Sequence, residues 1–458
     1  MKDITFPISK EYYTDILVIG GGPAGFSAAV CAARQNVSVM LCEKETCLGG
    51  MATGGLVGPF MPCYDPDDRY QVIRGFLDEF IRRLEKENGA IHPSKIEGAT
   101  GYSSFRIRGH AHVTPFDCEI YKRVAEEICV DNGVHLLYNE YFQGCEIQDG
   151  RITGAIFSGK NGMVCIHARQ YIDCTGDADV AFAAGAPCEI GKYNDGDVQP
   201  VSIFFLLDGI NKEPIEEWIR KHKDDYAEWF FGKEVAEARE KGEYTVPRHN
   251  VEFYEELDGA WRVNMARVNG INATDPEQVT KAMIELRKQI PEIIRMLKKY
   301  VPGCENARLR MSSSVLGVRE SRRIIGKFML DATSMSNAVR YPDTIFLAGN
   351  LIDIHMNTTV YYTPVKNGNA YSVPYRVLLP QHVENLLVAG RCISATRKAL
   401  GAIRVIPPCF AMGQAAGIAA SLCVKNDCKA ENVNISELQS ELRKNGVILD
   451  ESDIPELN

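Results

Sequence analysis

The stretch DILVIGGGPAGFSAAVCAARQNVSVMLCE, residues 15–43, decides the fold of this 458-residue chain. Its apolar start, residues 15–19, predicts a short strand that ends in a run of glycines. Residues 26–34 follow with helical spacing and small side chains, which allow a helix to pack closely on a sheet. A β-branched run over residues 37–42 predicts a second strand. The stretch therefore predicts a strand, a glycine turn, a helix and a second strand.

Gly20, Gly22 and Gly25 have the spacing G-x-G-x-x-G in the turn of this unit. The first glycine allows the tight turn, the second lets the backbone approach a pyrophosphate, and the third lets helix and strand pack closely. The helix N-terminus adds free N–H groups and a partial positive charge. Glu43, at the end of the second strand, suits hydrogen bonds from a ribose diol. Together these features predict a dinucleotide-binding site.

Composition and charge exclude several classes of protein. An apolar content of 45% and a charged content of 24% are typical of a soluble globular chain. The net charge of −9 argues against a nucleic-acid or anionic-membrane surface, because both need basic patches. MKDITFPISKEYY at the N-terminus lacks an apolar signal region, and no apolar run is long enough to cross a membrane. The fifteen cysteines scatter singly, as reduced thiols do, so we expect a cytoplasmic protein.

The length of the chain predicts about two or three domains. We expect the first part of the nucleotide-binding domain at residues 1–190, a second domain at residues 191–375, and a return to the first domain at residues 376–458. The apolar strand NLLVA at residues 385–389 supports that return, because it can extend the nucleotide-binding sheet. We also expect a strand over residues 100–113.

Four blocks of sequence resemble the FAD-dependent oxidoreductases of the two-dinucleotide-binding-domain flavoprotein superfamily, which are related to fumarate reductase flavoproteins. The blocks are DILVIGGGPAGFSAAVCAARQNVSVMLCEK with LGGMATGGLVGPF, then YIDCTGDADVAFAAGAP, LGVRESRRIIGKFML, and VPYRVLLPQHVENLLVAGRCISATRKALGAIRVIPPCFAMGQAAGIAAS. The resemblance implies an α/β fold with a discontinuous Rossmann-like FAD-binding domain and an inserted α+β substrate domain. It also implies FAD as the cofactor, which we expect to bind non-covalently, with covalent attachment through a histidine as the open alternative.

The resemblance further implies which residues bind FAD. The glycine turn would hold the diphosphate, Glu43 the adenosine ribose, and the loop of residues 49–53 would lie near the flavin ring. The implied cofactor-binding residues are Gly20, Gly22, Pro23, Ala24, Gly25, Glu43, Lys44, Gly50, Met51, Ala52, Thr53, Phe142, Thr175, Gly176, Gly390, Arg391 and Ile403.

Three residues are candidates for catalysis. His355, in the stretch NLIDIHMN, is the first candidate for proton transfer, and Asp353 would orient its ring only if the chain bends there. The alternative is a solvent or core histidine. Arg404 would bind a substrate carboxylate or donate a proton, unless it only pairs with an acid or contacts the flavin. Tyr362 would cap the pocket, with core packing as its alternative.

Other charged residues leave alternatives open. Arg319, Arg322 and Arg323 would suit a carboxylate-bearing substrate, but ion pairing with Glu320 and other acids is the favoured interpretation for at least two of them. His110 and His112 would share one face of a strand, but a metal site needs more ligands. We therefore predict no metal.

The sequence thus predicts an oxidoreductase that transfers hydride between flavin N5 and a small polar substrate bearing a carboxylate or a hydroxyl group. A flavoprotein subunit that passes electrons to a partner protein, and a non-catalytic FAD-binding redox sensor, remain as alternatives. The expected partner is the small-molecule substrate. A redox partner protein and a homo-oligomer stay open, whereas nucleic acid and membrane are not expected.

Overall fold

The computed structural model describes residues 5–106, 110–191, 197–222, 230–355 and 360–457. Within them, the strands are β1 (Ile8–Ile19), β2 (Val39–Glu43), β3 (His135–Tyr138), β4 (Tyr141–Gln148), β5 (Arg151–Gly159), β6 (Gly162–Asp173), β7 (Cys188–Ile190), β8 (Val201–Asp208), β9 (Phe253–Glu255), β10 (Trp261–Val268), β11 (Arg308–Ser312), β12 (Arg322–Ile324), β13 (Thr344–Ala348), β14 (Ile352–His355), β15 (Val360–Thr363), β16 (Tyr371–Pro374) and β17 (Leu386–Val388). The helices are α1 (Pro23–Ala33), α2 (Phe76–Lys86), α3 (Cys118–Asp131), α4 (Asp179–Ala183), α5 (Lys212–Lys221), α6 (Gly232–Glu240), α7 (Pro276–Tyr300), α8 (Ala332–Ser336), α9 (Arg397–Ile403), α10 (Ile406–Asn426) and α11 (Ile435–Lys444).

The larger sheet has the strand order β3-β2-β1-β6-β5-β4. Its centre is parallel: β1 pairs with β2 at Leu17–Met40 and with β6 at Leu17–Tyr171. The first half of β6 pairs antiparallel with β5, and the second half pairs parallel with β17. Chain segments far apart in sequence therefore end side by side, and the predicted Rossmann-like α/β fold is confirmed.

Helices α1 and α10 pack against each other at very close range. Cβ atoms built on Gly413 and Gly417 would lie 2.0 and 2.2 Å from the carbonyl oxygens of Ala24 and Ala28. Only glycine allows this approach. Helix α10 is long and apolar enough to cross a membrane by those criteria alone, but its apolar residues are buried inside the protein, and only its last turn is exposed. Its apolar character is therefore explained by the core.

A smaller antiparallel sheet, β11-β8-β10-β9, forms the inserted domain. Its core is separate from that of the larger sheet and contains Phe205 and Trp261 from the strands and Leu286 from α7. Asp275 begins α7, because its carboxylate accepts hydrogen bonds from the N–H groups of Glu277 and Gln278. The inserted domain thus has the α+β character that the sequence predicts.

The two cores divide the chain differently from the predicted boundary at residue 375. Ile345 and Phe346 of β13 and Tyr371 of β16 pack in the core of the larger sheet. The described parts of residues 330–375 therefore contribute to the nucleotide-binding core, although the sequence assigned them to the second domain. The inserted sheet itself ends at β11.

The strand predicted over residues 100–113 is wrong in the part that the structure describes. Gly101–Ser103 form one turn of 3₁₀ helix, in which the Thr100 N–H donates to the Ser103 hydroxyl at 2.9 Å. Ser104 and Phe105 then have φ values of 52° and 56°. Residues with left-handed backbone conformations interrupt an extended chain. The local turn is therefore incompatible with the predicted strand.

The close contact between α1 and α10 yields a test. Gly417→Ala should lower the free energy of unfolding by about 1–3 kcal/mol, because the new methyl group displaces one helix from the other. This loss should appear although alanine is intrinsically the better helix former. Chemical denaturation measures it. Gly144→Ala is the matched control, since its Cβ would have no neighbour within 4 Å, and we expect a change of less than about 0.5 kcal/mol. Equal stabilities of the two variants would contradict the packing argument.

Candidate active site

The glycine turn after β1 combines two packing glycines with one that faces free space. A Cβ on Gly20, whose φ is 98°, would lie 2.5 Å from the carbonyl oxygen of Cys174, and a Cβ on Gly25 would lie 1.7 Å from that of Gly20. A Cβ on Gly22 would meet nothing within 4 Å. Gly22 also begins α1 without a side-chain cap, and Pro23 follows it. The turn therefore leaves room for an anion at the positive end of α1.

Glu43 points its carboxylate back at this turn. It ends β2 and is only 7% exposed. Its Oε2 accepts a hydrogen bond from the Gly21 N–H at 2.5 Å, and its Oε1 accepts one from the Glu45 N–H at 2.9 Å. Lys44 is exposed next to it. The acid therefore lies at the position expected for a ribose-binding carboxylate.

The loop of residues 49–53 rests on the glycine turn. The Gly49 N–H donates to the Gly21 carbonyl at 2.9 Å, and a Cβ on Gly50 would lie 3.1 Å from Gly22 Cα. Gly50–Ala52, with Met51 between them, form one turn of 3₁₀ helix. The Thr53 hydroxyl closes the loop by donating to the Leu48 carbonyl at 2.7 Å. The structure thus brings both predicted glycine segments together.

The end of β6 meets Arg391 from the C-terminal segment. Arg391 Nη2 lies 3.0 Å from Asp177 Oδ1, and Ser321 donates to the same carboxylate at 2.5 Å. Burial raises the pKa of Asp177, but Arg391 and Ser321 outweigh it and lower that pKa overall. Gly176, with φ of 81°, lies directly under the guanidinium, since its Cβ would be 2.8 Å from Arg391 Nη2. A salt bridge therefore joins the β6 end to the turn after β17.

Thr175 is held by the buried carboxylate of Asp173. The Thr175 hydroxyl donates to Asp173 Oδ1 at 2.7 Å, and the N–H groups of Val180 and Ala181 donate to Oδ2 at 3.0 Å. Asp173 thereby caps α4. Burial raises its pKa to about 6, while these hydrogen bonds work in the opposite direction.

Helices α9 and α10 meet at Ile403 and Arg404. Ile403 is buried, and α10 begins after Val405 without a side-chain cap. Arg404 Nη2 lies 3.4 Å from Gln199 Oε1 and 3.6 Å from Asp353 Oδ2. Its Nε has no hydrogen-bond partner among the described residues. Burial lowers the pKa of Arg404. A cation with spare hydrogen-bonding capacity therefore stands beside an uncapped helix N-terminus.

His355 lies on β14, buried between an acid and an arginine. Arg267 Nη2 lies 3.5 Å from Nδ1, and Nε2 lies 3.2 Å from Asp353 Oδ2. Since an arginine can only donate, Nδ1 is the acceptor and Nε2 carries the proton. The backbone N–H of His355 also donates to Gln199 Oε1 at 3.1 Å. Asp353 therefore orients the ring from the same face of the extended strand β14, without the bend in the chain that the sequence analysis required.

Burial sets the charge of this group. It lowers the pKa of His355 to about 3, against the opposing effect of Asp353, so the imidazole is neutral near pH 7. Burial would raise the pKa of Asp353, but His355 and Arg404 lower it overall, so this carboxylate is ionised. The ion pair in the site is thus Asp353 with Arg404, and the imidazole is an uncharged neighbour.

Arg319 differs from the other two arginines of its run. Its Nη1 donates to the Pro200 carbonyl and the Ser202 hydroxyl, both at 2.9 Å, and its Nη2 donates to Asn264 Oδ1 at 3.2 Å, all neutral acceptors. Burial, followed by repulsion from Arg404, lowers its pKa to about 10.

Arg322 and Arg323 form the ion pairs that the sequence analysis favoured. Arg322 lies 2.6 Å from Asp179, and Arg323 lies 2.7 Å from Glu189. Glu320, the acid within the run, lies 3.4 Å from Arg323 and 3.0 Å from Arg397. These contacts use the charges of Arg322 and Arg323 to hold the fold together.

The remaining predicted residues lie at the margin of the site. Phe142 is half-buried on β4 and packs edge-on against Phe157, with ring centroids 5.8 Å apart. Gly390 has φ of 95° and begins the turn that carries Arg391. Backbone pairing places Tyr362 of β15 opposite Asp353, but its side chain lies outside the described residues.

Sequence reasoning missed two arginines of the inserted domain and one glutamine. Arg248 and Arg267 are each only 2% exposed, and Gln199 is fully buried. Arg267 alternates with apolar residues on β10. This pattern could have identified Arg267, because an arginine on the buried face of a strand requires a partner. We define the arginine cluster as Arg248, Arg267, Arg319 and Arg404, with the acids Glu252 and Asp353.

The residues at the strand ends fit FAD, the cofactor implied by the resemblance. The free space at Gly22 and the uncapped end of α1 suit a diphosphate, and Glu43 suits the ribose. The loop of residues 49–53 and the start of α10 would then face the flavin. This fit rests on the space above Gly22, which the protein itself leaves unfilled.

Comparisons with known proteins agree with this fit. The family described as FAD dependent oxidoreductase matches residues 15–442. A thiamine thiazole synthase from Methanococcus aeolicus is 24% identical over 213 residues, which cover 42% of this chain and 68% of that enzyme. Another, from Pyrococcus horikoshii, is 36% identical over 110 residues, which cover 22% of this chain and 42% of that enzyme. A solved geranylgeranyl bacteriochlorophyll reductase-like protein from Thermoplasma acidophilum has a TM-score of 0.44 and 11% identity, covering 95% of this chain and 84% of its own.

The two kinds of glycine in the turn predict different phenotypes. Gly22→Ala should weaken FAD binding at least tenfold while leaving the stability of the apoprotein within about 0.5 kcal/mol, because the methyl group enters only the space for the cofactor. Gly25→Ala should instead destabilise the apoprotein by about 2 kcal/mol or more, since its methyl group meets the Gly20 carbonyl. Fluorescence titration with FAD and denaturation of both apoproteins measure these effects. Undiminished FAD binding by Gly22→Ala would refute the assignment.

The lowered pKa of His355 predicts acid sensitivity of the fold. Because the unfolded chain protonates this histidine near pH 6.5 and the folded chain does so only near pH 3, stability falls as the pH drops through that window. We expect a loss of about 2 kcal/mol between pH 7.5 and pH 5 from this residue alone.

His355→Gln should remove that part of the pH dependence, because glutamine can donate to Asp353 and accept from Arg267 without titrating. Urea denaturation at several pH values compares the two proteins. Parallel stability profiles between pH 7.5 and pH 5 would show that His355 is not buried in its neutral form.

Proposed function

The chain belongs to the FAD-dependent oxidoreductase family, and we propose on that premise that it transfers a hydride between FAD and a small substrate that carries a carboxylate. The predicted cofactor and the predicted enzyme class are confirmed by the family match. The substrate class is our proposal.

The excess of buried positive charge supports a carboxylate substrate. The arginine cluster places four guanidinium groups against two carboxylates, since His355 is neutral near pH 7. Arg404 Nε and Gln199 Nε2 are buried donors without partners among the described residues. Unpaired buried donors and net charge are costly, and a bound anion would satisfy both. This imbalance is the observation that carries the proposal.

Each side chain has a role in the proposed reaction. FAD, when bound, supplies the two-electron chemistry. Arg404 and Arg319 bind and orient the substrate carboxylate. Asp353 holds the Nε2–H of His355, which leaves Nδ1 to accept or return the substrate proton once the anion draws Arg267 away from its 3.5 Å contact. We retain Tyr362, on the strand paired with β14, as the residue that would cap the pocket.

An anaerobic screen of small metabolites against the FAD-loaded enzyme tests this function. Carboxylates with an adjacent oxidisable C–H bond should bleach the flavin absorbance, and their neutral amides or alcohols should not. Efficient bleaching by neutral compounds, with no response to carboxylates, would overturn the proposal.

Arg404→Gln should lower kcat/KM for the identified carboxylate by about 100-fold, mainly through a higher KM, because the variant loses a charge-assisted contact. Arg404→Lys should recover part of that loss, since it restores the charge without the fork of donors. Steady-state kinetics with FAD content checked by absorbance measures both variants. Arg123→Gln is the control, because Arg123 is an exposed residue of α3 that pairs with Glu87 and Glu127. A kcat/KM for Arg404→Gln equal to that of the control would exclude the carboxylate-binding role.

A further inference from the structure

A second group of unpartnered donors lies in the inserted domain, and it shares Arg248 with the arginine cluster. Tyr244 and Arg248 are each only 2% exposed. The Tyr244 hydroxyl, Nε and Nη1 of Arg248, and Nε of Arg239 are buried and have no hydrogen-bond partner among the described residues. We call Arg239, Tyr244 and Arg248 the distal donor group. Each of the three side chains thus has at least one buried donor without an acceptor among the described residues, although Nη2 of Arg239 donates to the Arg248 carbonyl at 3.0 Å.

The acids near the distal donor group are already engaged. Arg248 Nη2 contacts Glu252 Oε2, but Glu252 also accepts from Tyr254 at 2.8 Å and from Asn264 at 3.2 Å. The other nearby acid is Glu292. Its Oε1 accepts hydrogen bonds from the N–H and hydroxyl of Thr245 and from the N–H of Val246. Among the described residues, Glu252 and Oε1 of Glu292 are therefore already used by other donors.

The distal donor group is continuous with the site beside FAD. Hydrogen bonds connect them. Asn264 donates to Glu252, the acid that Arg248 contacts, at 3.2 Å. Arg319 donates to the oxygen of the same Asn264 amide at 3.2 Å. Arg319 is in turn repelled by Arg404 and Arg248. A run of like charges therefore extends from Arg404 into the inserted domain, and one anion at Arg404 would leave its far end uncompensated.

We propose that Arg239, Tyr244 and Arg248 form a second anion-binding subsite, which takes a second carboxylate or a phosphate of the same substrate. The substrate is then a dianion, held by Arg404 and Arg319 at one end and by the distal donor group at the other. Arginine N–H groups and a tyrosine hydroxyl are suited to an anion with several oxygens. The proposal rests on the proposed function, since it extends the same site.

Ligand binding to the FAD-loaded enzyme tests this subsite directly. The probes are butyrate, the dicarboxylates from malonate to adipate, 3-phosphoglycerate and inorganic phosphate. Binding is followed by the perturbation of flavin absorbance and by the shift in Tm. We expect at least one dianion to bind at least tenfold more tightly than butyrate. The dicarboxylate and phosphoglycerate arms distinguish a second carboxylate from a phosphate.

Arg248→Gln should weaken binding of the dianion more than binding of butyrate, and so reduce the advantage of the dianion at least threefold. Tyr244→Phe removes a single hydroxyl, so it keeps the test usable if Arg248→Gln fails to fold, and we expect it to weaken dianion binding at least threefold. Arg220→Gln, on the exposed side of α5, is the control. Arg248→Lys should bind the dianion more tightly than Arg248→Gln does, if the positive charge at this position contributes to binding.

The outcomes separate this inference from the proposed function. Equal affinities for butyrate and every dianion, or a dianion advantage that survives in both variants, would overturn the second subsite and leave the carboxylate site at Arg404 intact. Inorganic phosphate that binds together with the tightest dianion would also overturn it, because the subsite would then serve a separate anion. Failure of every carboxylate to bind, with no effect of Arg404→Gln, would instead refute the proposed function.

Discussion

The contact between α1 and α10 is the constraint on which the rest of the structure depends. Gly413 and Gly417 bring the two helices within backbone contact, and the Ser27 hydroxyl donates to the Phe410 carbonyl at 2.7 Å across the same interface. This packing fixes the start of α10, and therefore Arg404, relative to the glycine turn. A wider spacing between the helices would separate the diphosphate end of the site from its catalytic end.

Local sequence predicted the nucleotide-binding half of the site, because its geometry is encoded over short distances. Gly20, Gly25 and Glu43 have roles that follow from their spacing within one βαβ unit, and the structure brings the loop of residues 49–53 onto the same turn. The arginine cluster could not be predicted in this way. Arg248 and Arg267 come from different segments of the inserted domain, and only the tertiary fold brings them near Arg404. The strand predicted over residues 100–113 was wrong for the opposite reason, since a local turn there interrupts the extended backbone.

The site combines an excess of buried positive charge with a neutral histidine, His355, whose ring nitrogens both have contacts. Asp353 and Arg267 occupy both ring nitrogens of His355, so the imidazole has a defined tautomer before any substrate binds. The arginines around it have hydrogen bonds to neutral groups or to shared acids. Such a site stores unfavourable electrostatic energy in the free enzyme, and an anionic ligand would release it on binding.

The division of the core has a consequence for biosynthesis. Helix α1 emerges from the ribosome early, yet the helix that covers it is α10, which follows the whole inserted domain. Strand β17, which pairs with β6, is also translated late. During synthesis the apolar face of α1 therefore stays uncovered until α10 has been made. The residues that would bind FAD are complete only near the end of translation. FAD loading is then expected to be a late event that closes folding, and the nascent chain would need protection from aggregation until that point.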